Sequence, residues 1–254
     1  PRLDEISTLP ASTLHRLAQL CDTGGAVAAQ AALAQMALAS GLYAGPVRGA
    51  KVLPQVGAWT PEDGVSCPVV ALADRVGGGL SAPHGPAARP PEDISAKKKP
   101  LALVVFYRSY LVAADLGTVE ALFAALRARG FAVLGLFAPS LKAPEAAGWL
   151  ERQVAHLAPS VIVNATAFSG RGDSGRSPLD AAGCPVFQVA LATSTREAWD
   201  GAERGLSPAD LAMHVVLPEV DGRLFAGVAS FKAPQERDTD LQFSRYVLAA
   251  EMDR

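Results

Sequence analysis

From residue 101 onward, short unbroken apolar runs alternate with longer amphipathic stretches. The runs are LALVVF (101–106), FAVLGLF (131–137), VIVN (161–164) and CPVFQVAL (184–191). Continuous apolar runs of this length are the pattern of strands covered on both faces. Between them, residues 118–129 and 144–157 carry apolar positions at helical spacing, and residues 195–202 allow a third, short helix. Gly130 stands where a left-handed residue closes a helix. Strands alternating with helices at these lengths predict βαβ units with right-handed crossovers, hence an open, mainly parallel sheet with flanking helices.

The rest of the chain reads differently. Up to residue 42 the pattern is helical: Ser12 precedes Leu14, Leu17, Ala18 and Cys21 on one face, Gly24 and Gly25 interrupt, and a second helix runs to Gly41. Residues 43–100 are punctuated by glycine and proline, and only CPVVALA (67–73) suggests a strand. Residues 77–100, with Gly77, Gly78, Gly79 and Lys97, Lys98, Lys99, read as a solvated linker. Ser207 and Pro208 form a helix start, residues 215–217 read as a strand ended by Pro218, and Asp221-Gly222 reads as a hairpin turn into LFAGVASF. Residues 241–254 read as the start of a helix with no closing glycine. The expected organisation is therefore a helical lead-in (1–42), a connecting segment (43–100), a Rossmann- or flavodoxin-like α/β domain (101–240) and the start of a further helix (241–254).

Composition narrows the function. Half of the 254 residues are apolar and 19% are charged, which suits a large core and excludes a disordered chain. Lys+Arg at 23 against Asp+Glu at 25 gives no basic excess to attract nucleic-acid phosphates. Cys21, Cys67 and Cys184 form no CxxC pair, so a reducing, cytoplasmic setting is expected. No apolar run approaches the roughly 18 residues of a membrane span. No GxGxxG or GxxxxGK spacing accompanies Gly77 to Gly79, the sequence has no Walker motif, HExxH or GxSxG, and His15, His84, His156 and His214 are scattered.

In an open parallel sheet, ligands bind outside the carboxyl ends of the strands. That rule selects Tyr107 and Arg108 after the first strand, Asn164, Thr166 and Phe168 after the third, and Gln188 in the fourth. Each residue type allows two roles. Arg108 can clamp a carboxylate or cap helix carbonyls; Asn164 can meet a ligand or satisfy loop amides; Phe168 can stack on a flat ring or fill the core. Glu219 and Asp221, two apart, can act as acid and base or hold a hard cation, but they also suit a tight turn.

The order FYRS (106–109), NATAFS (164–169), SPLD (177–180), PVFQV (185–189), STREAW (194–199), RGLSPADLAMHVVLPEVDGR (204–223) and SFK (230–232) resembles the large-subunit family of aerobic cobaltochelatases and magnesium chelatases. The resemblance covers residues 101–232, and members of that family are far longer, so the chain is expected to be an excised N-terminal portion. The resemblance implies ATP-dependent insertion of cobalt(II) into hydrogenobyrinic acid a,c-diamide on the aerobic route to cobalamin (vitamin B12). ATP and magnesium would act through separate AAA+ motor and adaptor subunits, with no cofactor resident here. The piece would contribute to tetrapyrrole binding through Tyr107, Arg108, Asn164, Thr166, Phe168 and Gln188, with Glu219 a candidate proton or metal carrier beside Asp221. Its other partner is the remainder of its own subunit, without which it is expected to be inactive. The alternatives are a docking domain for the motor subunits, or the magnesium-chelatase branch acting on protoporphyrin IX.

Overall fold

The computed structural model describes residues 5–47, 53–66, 69–76, 99–172, 174–240 and 242–251. The described residues fall into two compact units. The first comprises those before Gln55 together with Ser109–Asp115. Its helices α1 (Ala11–Thr23) and α2 (Gly25–Ala39) bury Leu20, Ala31 and Ala32, with Leu17 and Val47 packed alongside. Helix α1 starts at Ala11 behind Pro10, one residue before the expected Ser12 cap. Gly24 joins the helices at φ 66°, and a Cβ at that position would fall on the Val112 side chain. Glycine is needed there twice over, for the backbone and for the space.

The second unit, Gln55–Arg108 with Leu116–Arg254, holds one sheet of eight strands in the order β2-β1-β4-β3-β5-β6-β7-β8. In chain order these are β1 (Gly57–Thr60), β2 (Gly64–Ser66), β3 (Leu101–Tyr107), β4 (Ala132–Ala138), β5 (Val161–Asn164), β6 (Val186–Thr195), β7 (Leu224–Asp238) and β8 (Phe243–Ala250). The five central strands, β4-β3-β5-β6-β7, are parallel, while β1, β2 and β8 add antiparallel edges. Helices α3 (Val69–Arg75), α5 (Gly117–Ala128), α6 (Pro144–Leu157) and α7 (Arg196–Asp200) accompany them, while α4 (Arg108–Ala113) belongs to the first unit from Ser109 onward. Helix α8 runs through Pro208–Leu211, a π-helical turn at Ala212–Val216, and Leu217–Val220.

The predicted α/β architecture is present. Six of the seven residues of β3 and all seven of β4 are buried, because helices or loops cover both faces. One core packs Leu103, Val105, Leu134 and Leu136 against Leu150, Val154 and Leu157 of α6. Beyond β4, Trp59 meets Phe106 and Phe123 edge-to-face. Helix α5 ends as expected, with Gly130 at φ 89°.

Four expectations are corrected. The strand expected at 67–73 is helix α3 over Val69–Arg75; Cys67 and Pro68 lie outside the described residues. Among its described side chains Val69, Leu72 and Ala73 are buried, a 3–4 spacing that a short apolar run also satisfies. The connecting segment 43–100 also contributes β1 and β2, whose four and three residues are too short to show alternation. Residues 215–217 belong to α8, so Asp221-Gly222 turns helix into strand rather than strand into strand, and β7 pairs with β6 in parallel. The helix expected from residue 241 is strand β8, fixed by antiparallel pairing with β7 from Ser230↔Ala250 to Asp238↔Phe243. The triple glycine at 77–79, Lys97 and Lys98 lie outside the described residues.

Candidate functional site

Numbered in chain order, the parallel strands β4-β3-β5-β6-β7 read 2-1-3-4-5. The chain moves to one side of β3 for β4 and to the other for β5, β6 and β7. Loops leaving β3 and β5 therefore diverge, and the crevice between them at the carboxyl ends is where open α/β sheets hold ligands. A cleft of about 320 Å³ lies at that edge. Tyr107 ends β3, Ser140, Leu141 and Lys142 follow β4, Ala167, Phe168 and Ser169 follow β5, and Leu217 comes from α8.

Beneath the cleft, the polar residues of the strand ends bind one another. Asn164 Nδ2 donates to Gln188 Oε1 at 2.7 Å, Thr166 Oγ1 donates to Asn164 Oδ1 at 3.0 Å, and Gln188 Nε2 donates to the Thr166 carbonyl at 2.7 Å. All three side chains are buried. A buried amide left without partners would cost about 1–3 kcal/mol, so this closed set is what the interior of a strand edge demands. Arg223, just before β7, completes the set: Nη1 donates to Gln188 Oε1 at 3.1 Å and to the Phe168 carbonyl at 3.3 Å, and Nη2 reaches Asp221 Oδ2 at 2.6 Å. Burial lowers the Arg223 pKa, while Asp221, Tyr107 and Asp180 pull it back, and the guanidinium stays charged. Tyr107 donates its hydroxyl to the Ala167 carbonyl at 2.9 Å and accepts the Ala167 N–H at 3.1 Å; burial raises its pKa, keeping the phenol neutral.

These contacts fix the loop after β5 residue by residue. Asp221 accepts from the Gly170 N–H and from Ser169 Oγ, each at 2.6 Å. The Phe168 N–H donates to the Met213 carbonyl of α8 at 2.7 Å. Phe168 itself sits at φ 66°, in the left-handed region that bulky residues avoid, and is 47% exposed. The loop thus holds an aromatic residue at the cleft in a strained conformation instead of folding it into the core.

Of the residues singled out in the sequence, Tyr107, Asn164, Thr166, Phe168, Gln188 and Asp221 are brought together here. Arg108 is buried at the first position of α4. Glu219 is exposed on α8, whereas the Asp221 side chain is fully buried against Arg223. The two carboxylates do not converge, and no group of three or more His, Cys, Asp or Glu side chains among the described residues is placed to hold a metal. Arg223 and Lys142 escaped the sequence reading. Arg223 had a visible signal in its spacing of two from Asp221, at the entry to an apolar run; Lys142 had none.

Under α8, the Asp210 carboxylate accepts from Thr193 N–H, Thr193 Oγ1, Ser194 Oγ and Ser207 Oγ. Burial pushes its pKa up, but these hydrogen bonds together outweigh that and hold it below the usual value. One turn on, His214 is buried in the π-helical turn with Nδ1 unpartnered; burial lowers its pKa and Asp210 opposes this. The unfolded chain therefore takes up this proton first as pH falls. Stability from a neutral His214 is fully present above about pH 6.5 and declines below it. A melting curve series from pH 7.5 to 5 is expected to show falling midpoints, and His214→Gln should flatten that slope.

A second, apolar groove of about 530 Å³ lies over the face of β6 and β7, lined by Leu122, Val189, Trp199, Leu206, Val215 and Phe231 among others. No helix among the described residues is long and apolar enough to cross a membrane.

The CobN/Magnesium Chelatase family model matches residues 26–252. The aerobic cobaltochelatase subunit CobN of Sinorhizobium sp. is 35% identical over 245 residues, covering 95% of this chain and 18% of the relative. CobN of Pseudomonas aeruginosa is 34% identical over 139 residues, covering 53% of this chain and 11% of the relative. The catalytic subunit of cobaltochelatase from Mycobacterium tuberculosis shares the fold, with a TM-score of 0.66 and 23% identity over 98% of this chain and 19% of that one. The chain thus spans less than a fifth of the length of the relatives it resembles. With the family model aligned to both the switch-point loops and the 204–223 motif that closes beneath them, the chain belongs to the CobN/magnesium chelatase family.

Proposed function

We propose that this chain is a module of the large subunit of a cobaltochelatase, which inserts cobalt(II) into hydrogenobyrinic acid a,c-diamide during aerobic cobalamin synthesis in the cytoplasm. The observation that carries this reading is the 35% identity to CobN across nearly the whole chain. In this reading ATP is hydrolysed by separate AAA+ motor and adaptor subunits, the rest of the large subunit supplies the insertion chemistry, and the module alone is not catalytic. Its own contribution is to tetrapyrrole binding at the switch-point edge. The exposed ring of Phe168 above a cleft at that edge supports it. Asn164, Thr166 and Gln188 contribute from beneath, as the frame of the loop. Glu219, exposed on α8, remains available as a proton carrier to a ligand held against this face.

The test is an absorbance and fluorescence titration of the chain with hydrogenobyrinic acid a,c-diamide, with protoporphyrin IX as competitor. Saturable binding that favours the corrinoid precursor is the expected result. Preference for protoporphyrin IX would move the protein to the magnesium branch. A folded chain that binds neither would overturn the substrate role.

That last outcome would favour a second reading, in which the module docks the motor subunits or another part of its own subunit. The apolar groove over β6 and β7 supports it, together with exposed Leu211, Val216, Val220 and Phe225. Monomeric surfaces seldom leave such side chains clustered.

A further inference from the structure

We infer that the switch-point cleft is a subsite for one five-membered ring of the macrocycle together with a carboxylate arm, with Phe168 as the stacking surface and Lys142 as the charge partner. The inference rests on the tetrapyrrole reading above and assigns a place and chemistry to it. Three observations converge. The first is size: about 320 Å³ is at the low end of small-molecule sites, enough for one ring and its arm but not for four rings. The macrocycle would therefore engage by one edge, leaving its centre outside this module.

The second is the backbone of Phe168. A left-handed conformation costs a bulky residue, and glycine would adopt φ 66° freely. The fold instead secures a phenylalanine there from both sides, its N–H on the Met213 carbonyl and its carbonyl under Arg223. An exposed aromatic residue fixed in a strained conformation is preorganised to contact something flat. The third is charge. Lys142 is exposed at the same cleft, and no carboxylate among the described residues pairs with it. Ser140 flanks it with a hydroxyl, while the Ser169 hydroxyl is given to Asp221. A flat face beside an ammonium and a hydroxyl selects a conjugated ring bearing an acid or amide arm.

Three variants of this chain, titrated with hydrogenobyrinic acid a,c-diamide, test the assignment. Phe168→Gly removes the ring and suits the backbone, so its melting temperature should equal or exceed that of the wild type while binding weakens about 5- to 100-fold, the range of a lost aromatic stack. Lys142→Gln should weaken binding several-fold and flatten its dependence on salt. Phe225→Ala, in the other groove, should bind as the wild type does. Saturable wild-type binding that neither Phe168→Gly nor Lys142→Gln weakens would overturn the subsite and leave the tetrapyrrole reading standing. Weakening by Phe225→Ala alone would move the ligand to the β6–β7 groove and equally overturn it. A large loss of stability in Phe168→Gly would mean the ring is a core element, not a platform. Absence of wild-type binding would bring down both the subsite and the reading it rests on.

Discussion

Replacing Arg223 by methionine is expected to destabilise the protein by about 3–5 kcal/mol, a fall in melting temperature on the order of 10 °C. The side chains of Arg223 and Asp221 are 2% and 0% exposed, so the variant leaves a buried carboxylate whose remaining positive neighbour is the half-exposed Arg171, with Nε 3.7 Å away. It also removes the donor to the Phe168 carbonyl and one of the two donors to Gln188 Oε1. The effect should be much smaller in Asp221→Asn/Arg223→Met, because no uncompensated charge then remains inside. Arg223→Lys keeps the charge but not the fork, and should fall between. Thermal melts of the four proteins at pH 7 decide this. If Arg223→Met melts within a degree of the wild type, the pair does not hold the loop after β5.

That pair marks where sequence reasoning stopped short. Strands β3 to β6 were legible because burial on both faces writes an unbroken apolar run, and helices α5 and α6 because one buried face writes a 3.6-residue period. The edge at which the structure has its switch-point cleft was legible too, since topology alone directs attention to the carboxyl ends at a strand-order reversal. What each polar residue does there was not. Asn164, Thr166 and Gln188 look in sequence like a ligand-facing edge, yet they bond one another across 2 to 24 positions, and Gln188 also accepts from Arg223, 35 positions on. Burial demands that pairing, and only the register Asn164↔Gln188 between β5 and β6 brings it about.

The errors have one physical source. Residues 69–75, 215–217 and 243–250 are short segments whose composition suits either helix or strand, and tertiary contacts chose. Strand β8 has only a loosely alternating exposure pattern, so its pairing with β7 decides its state more than its own side chains do. Residues 215–217 meet the opposite fate: the Ser207 cap and Pro208 start a helix that runs through them before the chain turns into β7.

That cap leads to Asp210. Asp210→Ala is expected to cost about 1–3 kcal/mol, because the buried carboxylate is the common acceptor for the half-buried Ser194 and Ser207 hydroxyls and for both donors of Thr193, and its loss removes all four hydrogen bonds. Helix α8 retains its own cap, since Ser207 Oγ still accepts the residue-210 N–H. The loss therefore falls on the tie between the end of β6 and α8, the helix whose Met213 carbonyl receives Phe168. Asp210→Asn keeps the size and one oxygen and should lose roughly half as much. Acid titration separates charge from shape. The Asp210 pKa is depressed in the folded state, so its stabilisation is fully present above the unfolded value near 3.9 and disappears as pH falls through the lower folded value. Below that window the gap in melting temperature between the wild type and Asp210→Asn should close, while between pH 5 and 8 it should hold. A gap that persists unchanged to pH 2 would mean that the charge on Asp210 contributes nothing and that packing alone ties β6 to α8.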